Sequence, residues 1–168
     1  AKLVQELNVF LPSDIYIFSI FLVKDDIHAR FSALERTYEY FVSNKKNIFN
    51  DNLYVIFKDL DICKMNEACA ILIGKKDFTS FAKVNTDTMS NNCHITYAEW
   101  KKERNNYIFI ISADRFLRNM VRSIVGSLID VGTGKIGVRE IDSILAKKDR
   151  SEAGTSVPSK ALFLKKIK

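Results

Sequence analysis

The chain has 168 residues, 47% of them hydrophobic, and carries a formal net charge of +6. This length predicts one domain with at most part of another, and the hydrophobic content excludes an intrinsically disordered chain. No apolar run reaches the about 18 residues that a transmembrane helix needs, so we expect no membrane partner and a cytoplasmic location.

The cysteines bear on metal binding and on the redox compartment, and the distribution of charge bears on the kind of partner. Cys63, Cys69 and Cys93 form no CxxC pair and the two histidines lie far apart, which predicts no metal site and a reducing compartment. Seven basic and two acidic side chains lie between residues 147 and 168. This basic end favours an anionic partner such as nucleic acid, with a solvated basic surface as the alternative.

The first third of the chain predicts three strands. Residues 15–23 are a nearly continuous run of β-branched and aromatic side chains, which predicts a buried strand. Alternating residues at 37–42 predict a second strand, with Tyr38 and Tyr40 on the same face. Residues 53–57 predict a short third strand.

The middle of the chain predicts a helix followed by a hairpin. Residues 61–74 keep helical spacing, with Asp61 at the N-cap and Gly74 at the end. The polar residues 82–92 predict a mobile loop. Two strands joined by a turn follow, at residues 93–103 and 107–113.

The stretch Ala113–Gly134 predicts the helix around which the chain is organised. Arg115, Arg118 and Arg122 fall within about 60° of one another on its polar face. Like charges at this spacing repel, which favours an anion or a carboxylate lying over them, with a solvated basic face as the alternative. A glycine inside a helix costs about 1 kcal/mol relative to alanine, so Gly126 predicts the close approach of another segment.

The remaining segments predict a further helix and a closing strand at residues 161–167. Strands grouped before helices, with hairpins and no regular βαβ alternation, predict an α+β fold. We expect an antiparallel or mixed sheet with helices packed on one face, near residues 61–73, 115–131 and 137–147.

Five short sequence blocks follow one another in order and are distributed over nearly the whole chain. They are Leu7–Asn8 with Leu11–Ile15, His28–Ala33 with Arg36–Tyr40, Asp77–Phe81, Phe116–Arg122 with Ile124–Gly126, and Ala153–Thr155 with Pro158. They resemble the LNxxLPxDI, HARFSA…RxYxY, DFxSF, F[LV]xxMVRxIVG and AGxTAPxxGL blocks of the tRNA pseudouridine synthase A family. Ala161 stands where the last pattern usually has glycine. The fold implied is that of a pseudouridine synthase catalytic half.

One block of that family is missing from the sequence. The resemblance implies a nucleophilic aspartate in a GRTDxGVH loop, N-terminal to LNxxLP, and the 168 residues contain no such loop. We therefore expect a truncated chain, with a degenerate relative as the alternative. Residues 1–27 are then the tail of the preceding half and an entering strand, and residues 28–168 are the C-terminal pseudouridine synthase domain.

The resemblance implies an isomerase that converts uridine to pseudouridine at positions 38 to 40 of tRNA, in the anticodon stem-loop, without a cofactor. The base must leave its stack, and the aspartate attacks the nucleotide covalently. The full-length protein is expected to be a homodimer, and this chain alone is expected to be inactive. A non-catalytic RNA-binding domain and a basic module that binds a protein partner are the alternatives.

By the same resemblance, Tyr38 stacks on the flipped uracil and Arg122 pairs with the missing aspartate. An aromatic face contributes about 1–3 kcal/mol of stacking per base, which agrees with the first role. The further RNA contacts expected are Arg30, Phe31, Arg36, Arg115 and Arg118. The alternatives are that Tyr38 belongs to the core and that Arg122 pairs within the chain, with Asp77 or Asp130.

Overall fold

The computed structural model describes residues 2–84 and 88–168, in two compact units that divide after Ser32. The described residues of the first unit contain one helix, α1 (Lys2–Phe10), followed by turns and a segment without regular secondary structure. The side-chain amide of Asn8 exchanges hydrogen bonds of 2.9 and 2.8 Å with the backbone of Ile17, which ties the segment after α1 to this helix.

The strand predicted over residues 15–23 does not form within the described residues. The segment has no regular secondary structure and joins no sheet, and its apolar side chains other than Ile17 are exposed, with Phe18 at 87% and Leu22 at 102%. The prediction of a buried strand is therefore wrong, as is the entering strand assigned to residues 1–27. The composition indicates extended backbone, whereas pairing requires a partner strand that local sequence does not specify.

The second unit is built on a mixed sheet of six strands within the described residues. Five strands follow the order β2-β1-β5-β4-β3, and β6 pairs antiparallel with β1. The short β2 pairs parallel with the last two residues of β1, and the other pairs are antiparallel. The strands are β1 (Arg36–Ser43), β2 (Tyr54–Val55), β3 (Gly74–Asp77), β4 (Asn92–Glu103), β5 (Asn106–Ala113) and β6 (Leu162–Ile167).

Three helices of the second unit cover one face of this sheet, so the α+β prediction is confirmed. Helix α2 (Ile62–Leu72) packs on β4, α3 (Met120–Gly132) packs on α2, and α4 (Glu140–Lys147) follows. The Asp61 side chain caps α2 by accepting the Lys64 N–H at 3.1 Å. None of the helices in the described ranges has the length and hydropathy that a membrane crossing requires.

The core lies between the helices and the inward face of the sheet. Alternate residues of a strand share a face, so burial alternates along β1 and β5. Large side chains with at most 1% exposure fill this layer: Tyr40, Trp100, Tyr107, Phe109, Met65, Leu72, Met120 and Ile124.

Helix α3 begins five residues later than predicted. Asn119 is left-handed, with a φ of 68°, and precedes the first helical residue, Met120. Before it, the Asp114 carboxylate accepts the backbone N–H of Arg115 at 2.6 Å, which holds the chain in a non-helical turn. Arg115 and Arg118 therefore do not lie on the helix, and the predicted polar face shared with Arg122 is wrong.

The segment after α2 also differs from the prediction. Gly74, with a φ of 99°, turns the chain from the helix into β3, which the sequence did not predict. A short 3₁₀ turn follows at Thr79–Phe81. The predicted mobile loop at 82–92 includes residues 85–87, which lie outside the described residues.

Candidate active site

Strand β1 supplies the aromatic part of the candidate site. Tyr38 and Tyr40 lie on the same face, with Tyr40 fully buried and Tyr38 half-buried. The Tyr38 ring meets the Phe116 ring edge-on, with centroids 5.3 Å apart. In register, Tyr38 lies between Ile111 of β5 and Leu164 of β6. The Tyr38 ring is thus held by neighbours on three sides but keeps an accessible part.

The Tyr40 hydroxyl joins the strand to the loop at residues 153–158, called the 153–158 loop below. It donates a hydrogen bond of 2.7 Å to the carbonyl oxygen of Pro158. Burial raises the pKa of Tyr40, and the nearby positive charge of Arg122 acts in the opposite direction. Tyr40 therefore stays neutral at physiological pH and keeps its proton for this hydrogen bond.

Arg122 lies in the first turn of α3, half-buried, against the same loop. Its Nε donates to the carbonyl oxygen of Val157 at 2.6 Å, and the Val157 N–H donates to the Arg122 backbone carbonyl at 3.3 Å. Among the described residues, no carboxylate lies within 4.0 Å of the guanidinium, and no hydrogen bond leaves its terminal nitrogens. Arg122 thus presents two terminal N–H₂ groups without an anionic partner in the described part of the chain.

The two carboxylates considered as partners within the chain are engaged elsewhere. Asp77 pairs with Lys148 at 2.9 Å and accepts the Thr79 hydroxyl at 2.6 Å. Asp130 pairs with Lys135 at 3.1 Å. Neither forms an ion pair with Arg122 in this structure.

Gly126 explains how the 153–158 loop approaches α3 so closely. A Cβ atom on Gly126 would lie 2.0 Å from the Thr155 carbonyl oxygen, and one on Gly154 would lie 2.8 Å from the Ser127 backbone nitrogen. The Gly154 N–H donates to the Ser127 hydroxyl at 2.8 Å where the two backbones cross. The prediction that Gly126 marks the close approach of another segment is confirmed.

These contacts connect the strand of Tyr38 with Arg122 through Tyr40 and the 153–158 loop. Tyr40 and Arg122 bind consecutive carbonyl oxygens of the 153–158 loop, and Tyr38 lies two residues before Tyr40 on the same face. Phe116, which precedes α3, packs edge-on against Tyr38. The site therefore combines a partly accessible aromatic ring with an arginine.

Three further arginines lie where β1 begins and β5 ends; we call Arg36, Arg115 and Arg118 the basic edge. Arg36 lies opposite Ala113, and its Nη1 donates to the Asp114 carbonyl oxygen at 2.8 Å. Arg115 follows directly and is half-buried, and Arg118 is exposed in the turn before α3. The basic edge is continuous with the segment that carries Phe116 and Arg122.

Arg30 and Phe31 belong to the first unit, in a turn organised by His28. The Nδ1 atom of His28 accepts the backbone N–H groups of Arg30 and Phe31 at 3.1 and 3.3 Å, which gives this histidine a structural role. The Arg30 guanidinium lies 5.4 Å from the centroid of the Phe31 ring, which is 74% exposed. The structure thus brings Arg30 and Phe31 together within the first unit.

The sequence did not predict the polar groups that support the site. Arg150 donates to the 153–158 loop at Ala153, Gly154 and Ser156, and Asn119 donates to the Ser156 hydroxyl. Only Asn119 had a usable local signal, because asparagine is favoured before a helix and tolerates the left-handed conformation. Within the described residues, no group of three or more potential metal-binding side chains comes together.

Comparison with known proteins identifies the family of the chain. A family model described as tRNA pseudouridine synthase matches residues 68–168, which include α3 and the 153–158 loop. Over 163 residues the chain is 50% identical to tRNA pseudouridine synthase A of Parabacteroides distasonis, covering 96% of this chain and 65% of that protein.

Other relatives give the same result. For the Porphyromonas gingivalis protein of the same name the identity is 46% over 170 residues, covering 99% of this chain and 68% of that protein. For the Bacillus pumilus protein of the same name the identity is 39% over 161 residues, covering 94% of this chain and 65% of that protein. The chain spans about two thirds of the length of these relatives. With the family match over α3 and the 153–158 loop, these identities show that the chain belongs to the tRNA pseudouridine synthase family.

Proposed function

We propose that this chain carries the base-binding and arginine-bearing part of an enzyme that isomerises uridine to pseudouridine in the anticodon stem-loop of tRNA. The observation that carries the proposal is Arg122. Its Nε is fixed by the carbonyl oxygen of Val157, the residue before Pro158, whose carbonyl oxygen Tyr40 binds, and its terminal nitrogens meet no carboxylate among the described residues. Such a group is suited to bind an anion that the described residues do not supply.

The anion in this proposal is a nucleophilic aspartate carried by a segment outside these 168 residues. Because Nε is occupied, the carboxylate would bind end-on to the two terminal nitrogens, in a bidentate pair. The positive charge would lower the pKa of the aspartate and keep it ionised for attack. The greater length of the relatives supports a site completed by additional chain.

The reaction replaces nitrogen by carbon in the glycosidic bond. The aspartate forms a transient covalent bond with the nucleotide, and the bond from N1 to the ribose breaks. The uracil rotates, C5 bonds to the ribose, and the bond to the aspartate breaks so that the carboxylate is regenerated. The hydrogen on C5 leaves as a proton and N1 takes up a proton, so the product is an isomer of the substrate. Tyr38 would stack on the flipped base, and stacking contributes about 1–3 kcal/mol.

The basic residues would bind the tRNA backbone. The basic edge continues from the site, and the Arg30–Phe31 pair offers a cation and an aromatic ring on the first unit. Phosphate contacts supply affinity without base selectivity, whereas Tyr38 acts on the flipped base. A homodimer of the complete protein, a cytoplasmic location and a C-terminal domain at 28–168 belong to the same proposal.

Binding of tRNA as a function of salt concentration tests the RNA-binding part of the proposal. Each phosphate contact that is lost should reduce the slope of log K against log[salt] by about 1. Arg118→Gln should therefore reduce this slope by about 1. The exposed Arg139, just before α4, provides the matched control, and Arg139→Gln should leave the slope unchanged. Absence of tRNA binding even at low salt would favour the protein-interaction module.

A further inference from the structure

Arg150 is half-buried, and its three hydrogen bonds all go to the 153–158 loop. Its Nη1 donates to the carbonyl oxygens of Ala153 and Gly154 at 3.2 and 3.3 Å, and its Nη2 donates to the Ser156 hydroxyl at 2.8 Å. Among the described residues, no carboxylate lies within 4.0 Å of this guanidinium either. A planar guanidinium reaches these acceptors from two separate nitrogens in a fixed geometry, whereas the donors of an ammonium all leave one nitrogen.

Ser156 is the point at which this contact reaches α3. Its hydroxyl accepts from Arg150 and from the side-chain amide of Asn119, and it lies 3.2 Å from the hydroxyl of Ser123. A serine hydroxyl has two acceptor positions and one proton. Both acceptor positions are filled by N–H donors, so its own proton is donated to Ser123. The orientation of Ser156 is therefore fixed from three sides.

The next residue of the loop is the one that holds Arg122. Val157 accepts the Arg122 Nε–H at 2.6 Å and returns its own N–H to the Arg122 carbonyl. The backbone crossing at Gly126 and Gly154 holds the loop near α3, and two of the three Arg150 hydrogen bonds reinforce it there, at the carbonyl oxygens of Ala153 and Gly154. The third bond, to Ser156, is the one through which Arg150 orients residues 156 and 157.

We propose that Arg150 is a positioning residue: acting through Ser156, it sets the Val157 carbonyl that fixes Nε of Arg122, so that the terminal nitrogens of Arg122 face the incoming carboxylate. This inference rests on the proposed function for the role of Arg122. The coupling between the two arginines, however, is a property of the 168-residue chain itself and is measurable without activity.

The first test measures hydrogen exchange of the Arg122 Nε–H by ¹H–¹⁵N NMR on this chain, with the signal assigned by its loss in Arg122→Lys. In Arg150→Lys and Ser156→Ala, exchange should accelerate by about tenfold or more, because the Val157 carbonyl loses its fixed position. Ser156→Thr keeps the hydroxyl, and Arg139→Lys changes an exposed arginine outside the network, so both should retain the original rate. An unchanged rate in Arg150→Lys or in Ser156→Ala would overturn the proposal.

The second test measures turnover in a chimera that joins the unmatched part of the Parabacteroides distasonis relative to this chain. Arg150→Lys should lower kcat by about tenfold or more with KM changed less than about twofold, since positioning acts on the reacting state. Accelerated Nε–H exchange with an unchanged kcat would contradict a positioning role. A wild-type chimera that binds tRNA without turnover would instead contradict the proposed function, while the exchange rates still decide the coupling of the two arginines.

Discussion

Replacing Arg122 by methionine should destabilise this chain only slightly. The guanidinium makes one hydrogen bond, to the Val157 carbonyl, and forms no ion pair with a described residue. A hydrogen bond to a charged group contributes about 1.5–3 kcal/mol, and removing a half-buried charge recovers part of its desolvation cost. Methionine retains most of the apolar stem, so we expect a loss of about 1–2 kcal/mol in the free energy of unfolding.

The comparison with Arg150→Met makes this prediction sharper. Arg150 makes three hydrogen bonds to the 153–158 loop, so its loss should lower stability more than the loss of Arg122 does. Urea unfolding of the two variants can be followed by the fluorescence of Trp100, the one tryptophan of the sequence, which is 1% exposed beside Phe109. Equal slopes against urea would allow the midpoints to be compared directly.

One result would refute the reasoning. Breaking a buried ion pair by removing one partner costs about 3–5 kcal/mol. A loss in that range for Arg122→Met, equal to or greater than the loss for Arg150→Met, would show that Arg122 is a structural residue paired within the chain. The assignment of Arg122 to an external carboxylate would then be wrong.

Two further predictions concern the contacts around the 153–158 loop. Gly126→Ala should lower the free energy of unfolding by about 2–3 kcal/mol, because the new Cβ would lie 2.0 Å from a backbone oxygen. This loss should occur although alanine has a higher helix propensity than glycine. Gly137→Ala, whose Cβ would meet its nearest atom at 3.7 Å, should stay within about 0.5 kcal/mol, and equal effects would contradict the crossing. Tyr40→Phe should cost about 1 kcal/mol at pH 7 through its lost hydrogen bond. Burial raises the pKa of Tyr40, so the higher free energy of unfolding of the wild type should be fully present below about pH 10 and should decrease as the pH rises further. A difference in free energy of unfolding that stays constant with pH would contradict this prediction.

The sequence was most informative where the pattern is local and repeated. The helix at 62–72 and the hairpin strands at 92–103 and 106–113 follow from periodicity, a cap and a turn. The run at 15–23 has the composition of a strand but joins no sheet among the described residues, because pairing depends on a partner distant in sequence. Helical spacing before Met120 is likewise overridden by the local hydrogen bonds of Asp114 and the left-handed Asn119.

In the candidate site too, local features could be predicted from the sequence, whereas contacts between distant segments could not. Gly126 signalled a close approach from its own position in the helix, but the sequence could not identify the 153–158 loop as the approaching segment. The roles of Tyr38 and Arg122 came from the family resemblance and not from spacing. Arg150 could not be recognised at all, since its effect passes through Ser156 to a residue on another element.

The central claim is that this chain supplies the arginine and the aromatic ring of a uridine-isomerising site, and that an aspartate from additional chain completes it. The most direct measurement is tritium release from tRNA labelled at C5 of uridine, because the C5 hydrogen leaves during isomerisation. The account predicts release by the chimera with the Parabacteroides distasonis segment, and only background release by the 168-residue chain alone and by the Arg122→Met chimera. Release by the chain alone, or undiminished release by the Arg122→Met chimera, would contradict it.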